Sequence, residues 1–240
     1  MTKTIQHLTT LALLTSVLSS CAVNTGPNAD IDPYEPINRN IFAFNMAFDR
    51  NIVKPVATLY DNIMPNFLEV RIRNFFGNLS ELSIIGNDVL QGELIYASRD
   101  TWRFVLNSTF GLGGLFDLAT TDGFPKRKQY FGTTLARWGL RDSAYLVVPI
   151  LGATTVYDLI AYPIDYSVLS IWPYVEHTQL KNQLRILNNL NYRADALPYD
   201  QAIEEAFDPY IFVRDAYLQR RVLFINKQPD QDMSKTSKND

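Results

Sequence analysis

Residues 32–53 read DPYEPINRNIFAFNMAFDRNIV, and this stretch decides the fold class. Its apolar side chains recur at steps of three and four residues, which is the period of an α-helix. They form a face wider than the apolar stripe of an ordinary surface helix, and they are Ile37, Ile41, Phe42, Phe44, Met46, Phe48, Ile52 and Val53. A narrow polar line remains, made of Asn38, Asn45 and Asp49. The stretch therefore predicts an unusually apolar helix that runs to about Val53.

The residues at the two ends of this helix carry start and stop signals. Asp32 can cap a helix, Pro33 suits a first turn, and Glu35 can complete a capping box. Pro36 is expected to delay the regular helix by one turn, and Pro55 is expected to end it.

Helical periodicity continues to Thr109. We predict a helix from about Pro65 that is broken at Gly77, a second over residues 80–90, and a third over residues 93–109. Gly92 and the glycine-rich residues 111–114 are expected to form the turns that follow the last two helices.

Two groups of charged residues are interpreted as surface features. Asp100 and Arg103 are spaced to pair as i,i+3 neighbours on one helix. Residues 120–130 form a polar loop, and its basic triplet, Lys126 to Lys128, is expected to be solvated. The alternative for the triplet is contact with phosphate headgroups.

The second half of the chain contains one non-helical segment. Residues 145–152 are wholly apolar and rich in valine, which predicts a strand or hairpin arm, and Pro149 excludes a central strand. Residues 162–174 are expected to be an irregular aromatic connector. Helices are predicted from Thr178 and from Asp208-Pro209 onward, so the fold class is mainly α with a short hairpin loop.

The N-terminus has the parts of an export signal over residues 1–20. Residues 8–18 form an apolar stretch about half as long as the roughly 20 residues that a spanning helix needs. Leu18-Ser19-Ser20-Cys21 follows and resembles a bacterial lipobox, so Cys21 is expected to carry a diacylglycerol and an N-acyl chain. Ala22, where an aspartate would signal inner-membrane retention, favours the outer membrane. Residues 21–31 are then a lipidated tether, and the polar residues 227–240 a flexible tail.

The amino-acid composition limits which classes of protein this chain can belong to. The chain has 240 residues, of which 47% are hydrophobic and 20% charged, so a folded domain is expected. A net charge of -3 gives no basis for a nucleic-acid partner. The 14 Phe, 13 Tyr and 3 Trp fit either an aromatic core or a belt at the level of lipid headgroups. Since no apolar run reaches 18 residues, any membrane contact is expected from amphipathic helices lying in one leaflet.

The residues needed for the common catalytic sites are missing from the sequence. Cys21 is the one cysteine, and His177 is the one histidine beyond the export signal. Zinc sites draw on several such ligands, so no metal site is expected. No G-x-S-x-G or H-E-x-x-H motif is present, and His177 beside Glu176 is interpreted as a surface or cap residue. The sequence predicts no enzyme and no cofactor.

Several short segments, taken in order behind the lipobox, resemble those of one known family. They are Asp32 to Arg39, Phe76-Gly77-Asn78-Leu79, Arg103 to Thr109 with Gly111 to Asp117, Phe131 to Leu135, and Asp208 to Arg214. On these segments the chain resembles the MlaA (VacJ) phospholipid-binding lipoproteins, and the resemblance covers residues 32–226 as one lipid-channel domain.

The resemblance implies a ring-like helical disc in the inner leaflet of the outer membrane, on its periplasmic side, enclosing an amphipathic channel. It also implies partners: a trimeric outer-membrane porin and a periplasmic lipid-shuttle protein. The implied activity is non-catalytic phospholipid transport, which removes mislocalised phospholipid from the outer leaflet and so maintains lipid asymmetry.

The resemblance also implies site residues. Phe44 is expected to gate the channel, and Asn38, Asn45 and Asp49 are candidates to line it, because a buried headgroup needs polar partners. The alternative is that Asn38 caps the helix start and a neighbouring helix satisfies Asn45. The hairpin loop beside the channel is expected within residues 131–152, and its candidate residues are Trp138, Gly139, Tyr145, Pro149 and Gly152.

This chain departs from the family around that loop, with Ser143-Ala144 where relatives often have Gly-Pro and Ala153-Thr154-Thr155 in place of a Pro-Ser type turn. Two rival functions stay open. One is a hydrolase of envelope lipids, which would need a base such as His177. The other is a structural lipoprotein that braces porins without transferring lipid.

Overall fold

The first helix continues well past the predicted end. The protein is described here by a computed structural model over residues 30–226, so the export signal, Cys21 and the tail from residue 227 lie outside the described residues. Helix α1 (Glu35–Phe48) passes through a π-helical turn (Asp49–Val53) directly into α2 (Lys54–Ile63). The prediction that Pro55 ends the helix was wrong, because the wider π turn loosens the backbone ladder just before the proline.

The start of α1 also differs from the prediction. The helix begins at Glu35, two residues later than a start at Pro33, and Pro36 lies in its first turn, where the missing N–H has no partner to lose. The cap residue is Tyr34, which makes no side-chain capping bond. The Asp32 carboxylate instead accepts a hydrogen bond from the Asn38 amide at 2.8 Å.

Helix α3 (Asn66–Leu90) is unbroken across 25 residues, so the predicted break at Gly77 was wrong. A Cβ atom at Gly77 would clash with the Lys126 amine, so the glycine makes room for that side chain and does not interrupt the helix. The turn at Gly92 is confirmed, with a φ of 75°. Helix α4 (Leu94–Thr109) follows as predicted and packs along α3.

The predicted hairpin is confirmed. Helices α5 (Leu118–Thr121) and α6 (Phe131–Arg137) precede it. Strand β1 (Tyr145–Val148) pairs antiparallel with β2 (Gly152–Thr155). The segment that follows is more regular than predicted, since α7 (Val156–Ile164) and a second π turn (Asp165–Leu169) extend well into the expected connector.

The last third of the chain is helical, as the sequence predicted. Helix α8 (Thr178–Ala196) leads through a 3-10 turn (Leu197–Tyr199) to the short α9 (Asp200–Glu204). Helix α10 (Pro209–Asn226) is capped by Asp208, whose carboxylate accepts from the backbone N–H groups of Tyr210 at 3.0 Å and Ile211 at 3.2 Å.

Contacts between these elements follow a closed circuit. Helix α1 packs on the hairpin, the hairpin on α7, α7 on α6, α6 on α3, α3 on α8, and α8 on α2, which continues from α1. The mainly helical prediction with a short hairpin is therefore confirmed, and the elements close into a ring. Across residues 30–226, no helix combines the length with the apolar character needed to cross a membrane.

Candidate functional site

The described residues bury polar side chains and expose apolar ones. Among residues 30–226, 18 polar or charged residues are buried against 14 hydrophobic ones. Of the 11 largest side chains that are fully buried, ten are polar or charged and one is Tyr145. Large hydrophobic side chains are instead exposed along most of the chain, as at Phe67, Phe110 and Ile150. Water-soluble domains bury mostly apolar side chains, and they almost never bury charged groups fully unless those groups are paired.

A buried ionic cluster lies between α3, α4 and the segments on either side of α5. The Arg103 guanidinium donates to Glu81 Oε1 at 3.2 Å, lies 3.4 Å from the Asp117 carboxylate, and also donates to the Phe124 carbonyl oxygen. Burial raises the pKa of Glu81 to about 7, against the opposing attraction of Arg103. The predicted pair between Asp100 and Arg103 was wrong, because Arg103 turns toward α3 and the loop.

The basic triplet is solvated only in part: Lys126 and Lys128 are exposed residues, as predicted, whereas Arg127 is partly buried and paired. Lys126 is packed against Gly77, and burial lowers the pKa of its amine. Arg127 pairs with Asp88 at 3.0 Å and with Asp100 at 3.4 Å. Burial raises the pKa of Asp88 to about 7. The loop therefore supplies the cations that offset carboxylates buried on α3 and α4.

The polar line of α1 holds the hairpin. The Asn38 amide donates to the Tyr145 carbonyl oxygen at 3.1 Å and accepts from the Val147 N–H at 2.9 Å. Two helical turns further along α1, the Asn45 amide donates to the Val148 carbonyl oxygen at 3.0 Å and accepts from the Ile150 N–H at 2.8 Å. Both asparagines therefore satisfy the free edge of β1, and the partner of Asn45 is the hairpin and not a neighbouring helix.

The tip of the hairpin is apolar and exposed. Pro149, Ile150 and Leu151 form it, and Ile150 is 71% exposed with a φ of 67°. Gly152 closes the tip with a φ of 86°. An exposed β-branched residue held in the left-handed region is strained, and the asparagine bond to its N–H is one of the contacts that fix it.

The other hairpin-loop candidates lie apart from this tip. Trp138 is exposed, and its indole N–H donates to the Leu90 carbonyl oxygen at 3.1 Å. Gly139 follows with a φ of 111°, a conformation that glycine favours. Tyr145 is fully buried and packs with Tyr210 in the small aromatic cluster behind β1. The structure thus brings Tyr145, Pro149 and Gly152 together in one hairpin and places Trp138 at the end of α6.

Asp49 starts the π turn and is held by a distant arginine. Arg193 of α8 donates to both carboxylate oxygens of Asp49 at 2.8 Å and also pairs with Asp200 at 2.8 Å. Lys54 adds a 3.1 Å contact to Asp200 and a 3.2 Å contact to Glu204. These bonds fasten the turn between α1 and α2 to the C-terminal end of α8.

A recess lies beside these charges. Its inner part has a volume of about 210 Å³, and its outer part, of about 650 Å³, shares Arg50, Lys54 and Glu204 with the inner one. Asp49, Arg193 and Asp200 line the inner part. Of the predicted channel residues, only Asp49 borders this recess.

Phe44 and His177 occupy exposed positions. Phe44 stacks on Phe48, with 6.3 Å between ring centroids, on the outer side of α1. His177 is the exposed cap residue of α8. Within residues 30–226 no group of three or more histidine, cysteine or acidic side chains is arranged to hold a metal.

A family model described as MlaA lipoprotein matches residues 30–223. The chain belongs to the MlaA lipoprotein family. The intermembrane phospholipid transport system lipoprotein MlaA of Escherichia coli strain K12 is 34% identical over 230 residues, covering 92% of this chain and 89% of that protein. A protein of Rickettsia felis is 35% identical over 191 residues, covering 79% of this chain and 76% of its own length.

A solved structure, described as the structural basis for maintenance of bacterial outer membrane lipid asymmetry, has the same fold. It aligns with a TM-score of 0.72 at 30% identity and covers 81% of this chain and 99% of that chain. The segments that carry the MlaA resemblance meet in the buried clusters. Asn78 donates to Ser108 at 2.8 Å, and the Tyr210 hydroxyl donates to Asp32.

Several residues around the recess were missed from the sequence. Arg50 lies in the π turn and Lys54 directly follows it, a four-residue spacing that places two cations on one helix side and that a search for charge patterns would have found. Arg193 carries no such signal, because its partner Asp49 lies 144 residues earlier in the chain. The roles of the predicted site residues of this MlaA family member in gating or lining a channel stay predictions.

Proposed function

We propose that this protein carries phospholipid, without catalysis, from the outer leaflet of the outer membrane through a polar interior to a periplasmic shuttle protein, and so maintains lipid asymmetry. The observation that carries the proposal is the reversed distribution of side chains. A surface rich in exposed Phe, Leu and Ile is suited to lipid tails, while an interior with many polar side chains is suited to a headgroup.

The proposal includes the setting of the protein. Cys21 carries the acyl anchor, which places the body against the inner leaflet, where two or more chains make attachment stable. The exposed apolar side chains then face lipid tails, so the body lies within one leaflet. The similarity to MlaA of Escherichia coli, named for intermembrane phospholipid transport, supports the cargo. A trimeric porin is proposed as the partner beside which the body sits.

In this proposal, the movement of phospholipid is not driven by nucleotide hydrolysis on this chain. The sequence has no nucleotide-binding motif, so lipid flows downhill or is drawn by the partner that removes it. The exposed position of His177, a cap residue of α8, gives no support to a hydrolase built on it.

Surface-specific labelling of outer-leaflet phospholipid in whole cells tests the proposal. Cells lacking the protein should show more labelled phospholipid than wild-type cells, and a plasmid copy should restore the wild-type level. A Cys21→Ala copy tests only the anchor, because mislocalisation is expected under every function considered. Unchanged labelling in the deletion strain would refute lipid transport and leave porin bracing as the function to pursue.

A further inference from the structure

The recess at the π turn has a chemical character that the proposed transport function does not by itself assign. It lies between the turn that joins α1 to α2 and the segment where α8 gives way to α9. Its inner wall combines charged residues with apolar ones, the latter being Met46, Ala196, Tyr199 and Ile203. A recess with both kinds of lining suits an amphipathic ligand.

Two cationic groups at this recess have hydrogen-bonding capacity left over. Arg50 lines both its parts, is exposed, and makes no hydrogen bond or ion pair with any residue from 30 to 226. Arg193 lines the inner part, and its Nη1 is buried without an acceptor, although Nε and Nη2 are fully used by Asp49 and Asp200. A buried guanidinium N–H without an acceptor is unfavourable, so an anion at this place would supply a missing partner.

The carboxylates around the recess balance the cations. Arg50, Lys54 and Arg193 face Asp49, Asp200 and Glu204, which gives three charges of each sign. Asp49 and Asp200 are held by Arg193, whereas Glu204 stands at the mouth with its side chain 47% exposed and one contact, to Lys54. The site therefore presents a free cation and an accessible carboxylate on the same recess.

We propose that the recess binds the headgroup of a zwitterionic phospholipid, one that joins a phosphate to a primary ammonium. Arg50 and Nη1 of Arg193 donate to the phosphate oxygens, and Glu204 accepts from the ammonium. The apolar wall takes the glycerol and the first methylenes of the acyl chains. This proposal rests on the transport function proposed above and deepens it by naming the class of headgroup.

An anionic headgroup without an ammonium would bind less well. It would meet the same arginines, but Glu204 would face a neutral or negative group instead of a cation. Hydrogen bonds between charged partners are about twice as strong as neutral ones, so the ammonium contact favours the zwitterion. Because Arg50 has no partner within the described residues, replacing it removes no contact that holds the fold.

The test uses the full-length lipidated protein in detergent, mixed with vesicles of equal phosphatidylethanolamine and phosphatidylglycerol. The phospholipid that the protein extracts is separated and quantified by class. Wild-type protein should extract phosphatidylethanolamine in excess. Arg50→Gln should lower the phosphatidylethanolamine bound about tenfold, the effect of one charge-assisted bond. Arg50→Lys, which keeps the charge, should retain part of it, and Arg141→Gln, an exposed arginine away from the recess, should match wild type.

Glu204→Gln should lower the preference for phosphatidylethanolamine while leaving phosphatidylglycerol extraction unchanged. Soluble glycerophosphoethanolamine at millimolar concentration should fail to displace the lipid, and displacement would show that the ligand is a soluble phosphodiester and overturn the lipid assignment. Equal extraction by Arg50→Gln and wild type would overturn the site while leaving transport standing. If wild-type protein extracts no phospholipid of either class, the proposed function fails together with the site.

Discussion

The contact between α1 and the hairpin and the cluster around Arg103 both bury polar groups, but by different means. Asn38 is neutral, and its amide reaches the Tyr145 carbonyl, the Val147 N–H and the Asp32 carboxylate within 3.1 Å. Arg103 is charged and lies among groups from three segments, with Glu81 on α3 and Asp117 after α4. The amide completes a strand edge, whereas the guanidinium offsets carboxylates that could not otherwise stay ionised.

The difference determines what each region tolerates. A buried amide can be lost at the cost of the backbone groups that it satisfied. A buried charge that loses its partner leaves the other charge in a low-dielectric interior, which costs more than the pair contributed. The Arg103 cluster is thus the more fragile of the two regions, although it has the more contacts.

The largest effect is expected from Arg103→Met. The substitution keeps the bulk of the side chain but leaves Glu81 and Asp117 without their shared cation, so the free energy of unfolding should fall by about 3–5 kcal/mol at pH 8, where Glu81 is ionised. Urea denaturation of the detergent-solubilised protein measures it. The double variant Glu81→Leu with Arg103→Met removes two members together and should recover part of the loss. A double variant no more stable than Arg103→Met would show that the cluster is not electrostatic.

A smaller effect is expected from Asn38→Ala. The Val147 N–H and the Tyr145 carbonyl would lose their partner, which should lower the free energy of unfolding by about 2–3 kcal/mol. Hydrogen exchange at the Val147 amide should quicken, because that bond protects it. Asn40→Ala on the same helix is the matched control, since Asn40 is exposed. Unchanged hydrogen-exchange protection at Val147 would show that Asn38 does not hold the hairpin on α1.

The same comparison explains what was predictable from the sequence. The contact between α1 and the hairpin could be anticipated from local sequence, because polar residues in line on an apolar helix mark side chains that need hydrogen-bond partners. The sequence therefore singled out Asn38 and Asn45, and the valine-rich run predicted the hairpin. Even so, the pairing of Asn38 with β1 spans more than 100 residues, a distance over which periodicity carries no information.

The ionic cluster around Arg103 was not predicted, because each of its residues taken alone has a sequence context typical of a solvated surface. Lys126 and Arg127 sit in a polar loop, which in most proteins is solvated, and Gly77 usually weakens a helix. Arg127 is partly buried and Gly77 leaves the helix unbroken for one reason: the loop folds back on α3, where the Lys126 amine lies against the glycine. The recess beside Asp49 was missed similarly, since a π turn has no clear sequence signal and Arg193 approaches from the far end of the chain.

The ionic cluster also predicts a dependence on pH. Burial holds the pKa of Glu81 and of Asp88 at about 7, above the roughly 4 of an unfolded carboxyl. Between those values the folded state keeps protons that the unfolded state releases, so the contribution of these two groups to stability is full below pH 4 and is lost as the pH rises through 7. The expected slope is about 1 kcal/mol per pH unit for each group.

Urea midpoints at pH 5, 6, 7 and 8 measure this slope. Glu81→Gln should roughly halve it, because Gln does not titrate and Asp88 still does. Glu176→Gln, at an exposed position before α8, should leave it unchanged. Urea midpoints that do not change from pH 5 to 8 in the wild-type protein would contradict the prediction. They would show that the buried carboxylates stay ionised over this range because their arginine partners fully offset the cost of burial.

The smallest effect on stability is expected from Phe44→Ala, and it tests which region serves transport. Phe44 is 52% exposed, so losing its contact with Phe48 should cost about 1 kcal/mol or less. It lies on α1 beside Asn45, so a gate at this position would work through the helix that holds the hairpin. Outer-leaflet phospholipid should then change in cells although the protein is as abundant as wild type. Phe67→Ala, an equally bulky change on an exposed face of α3, is the control and should leave labelling unchanged. If both variants leave labelling unchanged, Phe44 is only part of the apolar surface, and control of transport is to be sought in the buried charges.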